Sequence, residues 1–179
     1  CNLPVIAQMI FDGGGRTVLG TPPSAAAVTL DALRVDVIGA NCGLGIDGIH
    51  DVLAEMRQVT PRPLIAQANV GLPTHRNGQT MFPATPEEMT AYNERLISLG
   101  VRVVSGCCGT TPRHIRVMRD AFNNYPQEWC PPPRRGFLCS RSGVAEFGGE
   151  TPCALIGERI NPTGKKGYTE ELRAGKTTY

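Results

Sequence analysis

Short apolar runs rich in β-branched residues alternate along this chain with longer segments whose apolar residues recur at helical spacing. Pro4 to Phe11 is the first run, with Val5, Ile6, Met9 and Ile10 as its buried positions. Asp12-Gly13-Gly14-Gly15 then turns the chain. Thr21-Pro22-Pro23 opens a helix, with Thr21 as N-cap, that runs to Leu33. Val35 to Asn41 is the second strand, and Ile46, Ile49, Val52, Leu53 and Met56 then mark one face of a helix. Pro63 to Asn69 is the third strand. After a long polar loop, Thr85-Pro86-Glu87-Glu88 has the form of a capping box. Met89, Tyr92, Leu96 and Leu99 follow as the buried stripe of that helix, which Gly100 ends. Val101 to Ser105 is the fourth strand, and Thr111-Pro112 starts a fourth helix with Ile115, Met118 and Phe122 inward.

Four strand–loop–helix units in succession predict an α/β fold with parallel strands and helices outside. The nearly continuous apolar strands agree, because parallel strands are covered on both faces. A doubly wound sheet and a (β/α)8 barrel both fit. Four units are half of such a barrel, and the barrel reading places the other half ahead of Cys1.

The pattern changes after Asn124. Residues 126–149 hold Pro131-Pro132-Pro133, Arg134-Arg135 and scattered Gly and Ser without periodicity, which reads as a linker with some freedom. A new apolar strand, Cys153 to Ile156, is followed by Gly157-Glu158-Arg159-Ile160-Asn161-Pro162-Thr163-Gly164, the start of a second domain. Glu170 to Tyr179 reads as a helix that stops without a cap. A chain that starts at a strand and stops inside a helix reads as a piece of something longer.

Composition narrows the function classes. The 179 residues are 41% apolar, too many for a disordered chain. With 21 glycines and 15 prolines, loops are too numerous for a helical bundle. No apolar run is long enough to span a membrane. A formal charge of +2 with no long basic run does not imply nucleic acid as a partner. The seven cysteines are odd in number and not dense, so they read as cytosolic thiols rather than a disulfide framework.

Three of these cysteines share a setting. Cys42 ends the second strand in Gly39-Ala40-Asn41-Cys42-Gly43, and Cys107 and Cys108 end the fourth in Gly106-Cys107-Cys108-Gly109. Parallel strands bring their carboxyl ends to one face, the face on which barrel enzymes carry their chemistry. Three thiols there suit Zn²⁺ and leave one tetrahedral position for substrate, the catalytic rather than the structural arrangement. The alternative is that the three are small buried hydrophobes. The helix beginning after Thr111 places partial positive charge near the pair, which favours thiolate. Cys1, Cys130, Cys139 and Cys153 lack this setting and read as structural or incidental. His50, His75 and His114 read as surface or satisfied histidines, although His75 follows the third strand and could reach the same face. Asn69 ends that strand, either as a polar group for substrate or as a turn residue. Asp12 reads as a turn residue.

Gly39-Ala40-Asn41-Cys42 together with Gly106-Cys107-Cys108-Gly109-Thr110-Thr111-Pro112 resembles the zinc signature of the homocysteine S-methyltransferase domain. Ala68-Asn69-Val70-Gly71-Leu72-Pro73 resembles the loop after the seventh strand of that domain. The resemblance covers residues 1–124 and implies a partial (β/α)8 TIM barrel, strands five to eight with their helices. Residues 125–150 are then the linker. Ile156 to Gly164 resembles the opening of the pterin-binding domain of the cobalamin-dependent methionine synthases, so residues 151–179 are read as the truncated start of a second TIM-like barrel. The resemblance implies zinc on Cys42, Cys107 and Cys108, with homocysteine sulfur in the fourth position. It implies Asn69 in the homocysteine pocket, and Glu158 and Asn161 toward 5-methyltetrahydrofolate. It implies a methyl transfer to homocysteine from methylcobalamin, which is bound by a cobalamin-binding module outside this chain, in a cytoplasmic enzyme. Two alternatives remain at this stage: a cobalamin-independent homocysteine S-methyltransferase, and a non-catalytic zinc or thiol module. The first half of the barrel, with its glycine loop, is not in the chain. Residues 1–179 by themselves are therefore expected to be inactive and prone to aggregate through an open sheet edge.

Overall fold

The structure is a computed structural model and describes residues 3–125, 130–153 and 166–176. Strands β1 (Ile6–Met9), β2 (Val37–Asn41), β3 (Leu64–Ala68) and β6 (Val101–Gly106) form one parallel sheet in the order β1-β2-β3-β6. Helices α1 (Pro23–Ala32), α2 (Ile46–Arg57) and α3 (Pro86–Ser98) are the crossovers, and α4 (Pro112–Asn124) follows the last strand. The four strands lie side by side in chain order, without the reversal that marks a doubly wound sheet.

That order puts the helices on one face. Ile38, Ala40, Leu64, Ala66, Ala68 and Val101 project from the sheet into a single core with Ala27 of α1, Leu53 and Met56 of α2, Met89 and Leu96 of α3, and Met118 of α4. The other face carries the alternate residues. One register row is Gln8, Gly39, Ile65 and Val103, and the row beyond the Ala40 and Ala66 positions is Asn41, Gln67 and Ser105. Here Gln8 Nε2 donates to Gln67 Oε1 (2.9 Å), and Gln67 Nε2 donates to the Gly106 carbonyl (3.2 Å). The second face is therefore partly amide-lined where the first is wholly apolar.

The α3 start follows the sequence pattern closely. Thr85 Oγ1 accepts from the Glu88 N–H (3.2 Å), and the Glu88 carboxylate accepts from the Thr85 N–H (2.6 Å). Gly100, at φ 84°, takes the left-handed position after the helix. Thr85→Ala should cost about 1 kcal/mol, read as a lowered urea midpoint with unchanged slope.

Other expectations are corrected. Thr21 does not cap α1. The N-cap is Pro22, which has no side chain to accept, and the Ser24 N–H instead donates to Glu55 Oε1 of α2 (3.0 Å). Ile115 does not face inward but is exposed, while His114 and Met118 of the same helix are buried. The polar loop after β3 contains a hairpin, β4 (Thr74–Arg76) with β5 (Gln79–Met81), turned at Asn77-Gly78 with both residues at positive φ.

Part of the segment read as a linker is folded. Residues 136–147 form a second hairpin, β7 (Gly136–Ser140) with β8 (Gly143–Phe147), and it packs on α1. Cys139 Sγ lies 3.5 Å from Thr29 Oγ1, Arg134 lies 3.6 Å from Asp31, and the Arg135 guanidinium donates to the Gln58 carbonyl. Asp31 is already held by Arg62 (2.7 Å) and Thr60 (3.1 Å), so the hairpin joins an existing polar cluster. The terminal helix, α5 (Lys166–Arg173), starts before Glu170 and is followed by a turn at Ala174-Gly175. The expected strand Cys153 to Ile156 falls mostly outside the described residues, as do Glu158 and Asn161.

Candidate metal centre

Cys42 follows β2, Asn69 follows β3, and Cys107 and Cys108 follow β6, so all four stand at the carboxyl ends of parallel strands. Backbone bonds bring the loops together. The Cys42 N–H donates to the Gln67 carbonyl (3.1 Å), and the Cys107 N–H donates to the Ala68 carbonyl (2.8 Å). Both cysteine loops are thus anchored on β3, the strand between them.

The thiol group atoms of Cys42, Cys107 and Cys108 all lie within 4.8 Å of one another. Cys107 Sγ and Cys108 Sγ are 4.0 Å apart. Tetrahedral ligation at the usual Zn–S distance places sulfurs about 3.8 Å apart, so the Cys107–Cys108 spacing fits a shared metal ion. Cys108 is exposed while Cys42 and Cys107 are half-buried, so the cluster opens to solvent on one side. Among the described residues this is the one group of three metal-ligating side chains that converges in this way.

The structure adds a second state for two of these residues. Cys42 and Cys107 are not free thiols in this structure but are joined as a disulfide, with Cα atoms 6.0 Å apart. The reason is geometric. The register of β2, β3 and β6 brings two residues 65 positions apart to a Cα spacing that suits a disulfide as well as a shared metal. The two states are alternatives, because a metal ligand must be a thiolate. Cys108, Cys130, Cys139 and Cys153 are free and exposed.

Glycines let the loops approach this closely. Cys42 and Gly43 both have positive φ (51° and 50°), and a Cβ on Gly43 would stand 2.0 Å from the Phe11 carbonyl oxygen. Gly109 has φ 81°, and a Cβ there would stand 2.4 Å from Phe82 Cβ.

Asn69 is buried, and its Oδ1 accepts from the Cys108 N–H (3.1 Å), while the Cys108 carbonyl accepts from the Val70 N–H (3.0 Å). The side chain therefore orients the Cys107–Cys108 turn, a role that the sequence reading did not foresee. His114 is buried in the first turn of α4, where its Nδ1 accepts from the Thr111 N–H (3.1 Å) and leaves Nε2 without a partner. His75 is exposed on β4 beside Thr80 (3.3 Å), and His50 pairs with Asp51 (3.2 Å). The histidines do not join the sulfurs. Asp12 is the turn residue expected, its Oδ1 accepting from the Gly14 N–H (2.9 Å). Sequence reasoning missed the β4–β5 hairpin beside the site, although Asn77-Gly78 between short polar runs is a recognised hairpin signal.

Residues 1–122 match the family described as homocysteine S-methyltransferase. Methionine synthase from Mycobacterium tuberculosis is 30% identical over 174 residues, which is 97% of this chain and 15% of that protein. Methionine synthase from Mycobacterium leprae is 28% identical, again over 97% of this chain and 15% of that protein. The chain therefore spans about 15% of the length of the curated relatives it matches. Among solved structures, the homocysteine methyltransferase MmuM from Escherichia coli in its apo form aligns at TM-score 0.47 and 21% identity, over 64% of this chain and 39% of that one. No helix among the described residues is long and apolar enough to cross a membrane. With the family match covering residues 1–122 and the three cysteines gathered where β2 and β6 end, this chain belongs to the homocysteine S-methyltransferase family.

Proposed function

We propose that this chain provides the metal-binding rim of an enzyme that transfers a methyl group to the thiol of homocysteine, giving methionine. The observation that carries the reading is the convergence of the Cys42, Cys107 and Cys108 thiol groups within 4.8 Å at an open rim. With the Cys42–Cys107 disulfide reduced, the donor set is right for zinc: three soft sulfurs and no fourth protein ligand among the described residues. Bound there, zinc would deprotonate the substrate thiol and keep it nucleophilic at neutral pH.

The remaining work falls to the chain itself. Asn69 holds the Cys108 backbone and, on this reading, also lines the homocysteine pocket. The in-order parallel sheet supports reading residues 1–124 as strands five to eight of a (β/α)8 barrel, with the amide-lined face turned to the barrel interior. On the same reading residues 125–150 connect to a second, pterin-binding barrel that starts at 151–179, with Glu158 and Asn161 toward 5-methyltetrahydrofolate. Methylcobalamin would be the direct methyl donor, held by a separate module of the parent protein. That the relatives named methionine synthase match over 97% of this chain, beyond residue 122, supports this form over a single-barrel methyltransferase.

The test uses the full protein that carries this chain. With methylcobalamin as donor it should form methionine from homocysteine and hold one zinc per chain. Residues 1–179 alone should form none. Full protein that binds no zinc after thiol reduction, or in which a fourth protein side chain closes the tetrahedron, would overturn the reading.

A further inference from the structure

The two loops that carry the sulfurs make contact through a third segment. The chain from Val70 to Ala84 leaves the end of β3, forms the β4–β5 hairpin and returns. It is closed at its base, where the Ala84 N–H donates to the Val70 carbonyl (3.2 Å) and a Cβ on Gly71 would stand 3.1 Å from Pro83 Cδ. From this base it reaches in two directions. Leu72 lies over the loop after Cys42: a Cβ on Gly45 would meet Leu72 Cγ at 3.5 Å. Phe82 lies over the turn after Cys108, where a Cβ on Gly109 would stand 2.4 Å from Phe82 Cβ and 2.5 Å from its Cγ. The same base is tied to the cysteine pair by the Val70 N–H, which donates to the Cys108 carbonyl (3.0 Å).

The geometry points to residues 70–84 as a brace that sets the distance between Cys42 and the Cys107–Cys108 pair, with Phe82 and Leu72 as its two positioning residues. The sulfurs themselves sit on separate turns after separate strands. Each turn has a glycine facing the brace, at Gly45 and Gly109, so the brace can lie directly on both backbones. A Phe ring on a glycine has few ways to shift, whereas the cysteine loops alone contain left-handed residues that could rearrange. As far as the brace concerns metal, it rests on the zinc reading above. As far as it concerns sulfur spacing, it does not, because the Cys42–Cys107 disulfide depends on the same distance.

Two readouts on the full protein separate these. The first is zinc affinity of the reduced protein by competition with a chromogenic chelator, with Co²⁺ substitution to read the thiolate charge-transfer bands. The second is the equilibrium between the Cys42–Cys107 disulfide and its two thiols in glutathione buffer. There the two thiols give up two electrons and two protons, and one glutathione disulfide becomes two glutathione thiols. Phe82→Ala should weaken zinc about tenfold or more and broaden the Co²⁺ bands. It should also shift the disulfide equilibrium about threefold or more toward thiols. Leu72→Ala should act in the same direction on both, and Phe82→Leu should recover most of the loss. Thr80→Ala, on the exposed part of the hairpin, should change neither. If Phe82→Ala does not fold by circular dichroism, Leu72→Ala decides, since Leu72 is exposed over half its surface. Folded variants with zinc affinity and disulfide equilibrium both within twofold of the parent overturn the brace. A parent protein that binds no zinc but whose disulfide equilibrium still shifts in Phe82→Ala overturns the metal reading and leaves the brace standing.

Discussion

Cys108→Ser should reduce methyl transfer by more than about 100-fold, beyond the loss typical of residues that merely support a metal ligand. It should also remove the bound zinc. This position is more informative than its neighbours. Cys42 and Cys107 are the pair joined as a disulfide, so replacing either would abolish a metal site and a disulfide together. Cys108 lies 4.0 Å from Cys107 and is outside that bond. The serine variant keeps the bridging pair and removes one soft donor. Zinc content by mass spectrometry under native conditions, alongside methionine formation, reads the two effects separately. Retention of full zinc and full activity would mean that the third sulfur is not a ligand. Loss of zinc with the Cys42–Cys107 disulfide still able to form is the expected result.

Gly39→Ala should destabilise the protein by about 3 kcal/mol or more. Gly39 sits in β2, in register with Gln8 and Ile65. A Cβ there would stand 1.9 Å from the Ile65 carbonyl oxygen and 2.5 Å from Ile65 Cγ2. The first contact is with backbone of the adjacent strand, so no rotamer change relieves it. β2 and β3 would have to part, which breaks ladder hydrogen bonds in the middle of the sheet and displaces Cys42 three residues further on. A thermal midpoint lowered by about 10 °C is the expected readout. Gly13→Ala is the control, because Gly13 has nothing within 4 Å of a Cβ and no positive φ. Equal midpoints for the two variants would show that the sheet accommodates the methyl.

The elements that were legible in advance are those specified by local pattern. The stripe Ile49, Val52, Leu53 and Met56 is buried in α2 as its spacing predicts, and Thr85 with Glu88 caps α3 as its box predicts. These depend on residues three or four apart, and their geometry follows from one turn of helix. The α1 cap failed for the complementary reason. Glu55 supplies the acceptor from another helix 31 residues away, and no local signal marks that partner. Ile115 is exposed against the pattern because helical spacing gives the width of a face but not which side of it meets a neighbour.

The two hairpins differ in how much local signal they carry. Asn77-Gly78 carried a usable signal, obscured because the flanking strands are three residues each and polar. Residues 136–147 carry a weaker one, two short apolar runs, Phe137-Leu138-Cys139 and Val144-Ala145, around Ser140-Arg141-Ser142-Gly143, and the docking depends on Asp31 and Gln58 in distant elements.

By itself the chain's sequence determined the strand–helix alternation, the parallel sheet and the placing of Cys42, Cys107 and Cys108 on one side of it. Those follow from periodicity, and from the rule that parallel strands end on the same side. Only the tertiary structure decided how close the sulfurs come, that Cys42 and Cys107 can bond to one another, and that Asn69 and Phe82 hold the Cys107–Cys108 turn. Such distances are set by strand register and by backbone approaching backbone at Gly43 and Gly109. They arise from contacts between residues far apart along the chain, which no local pattern records.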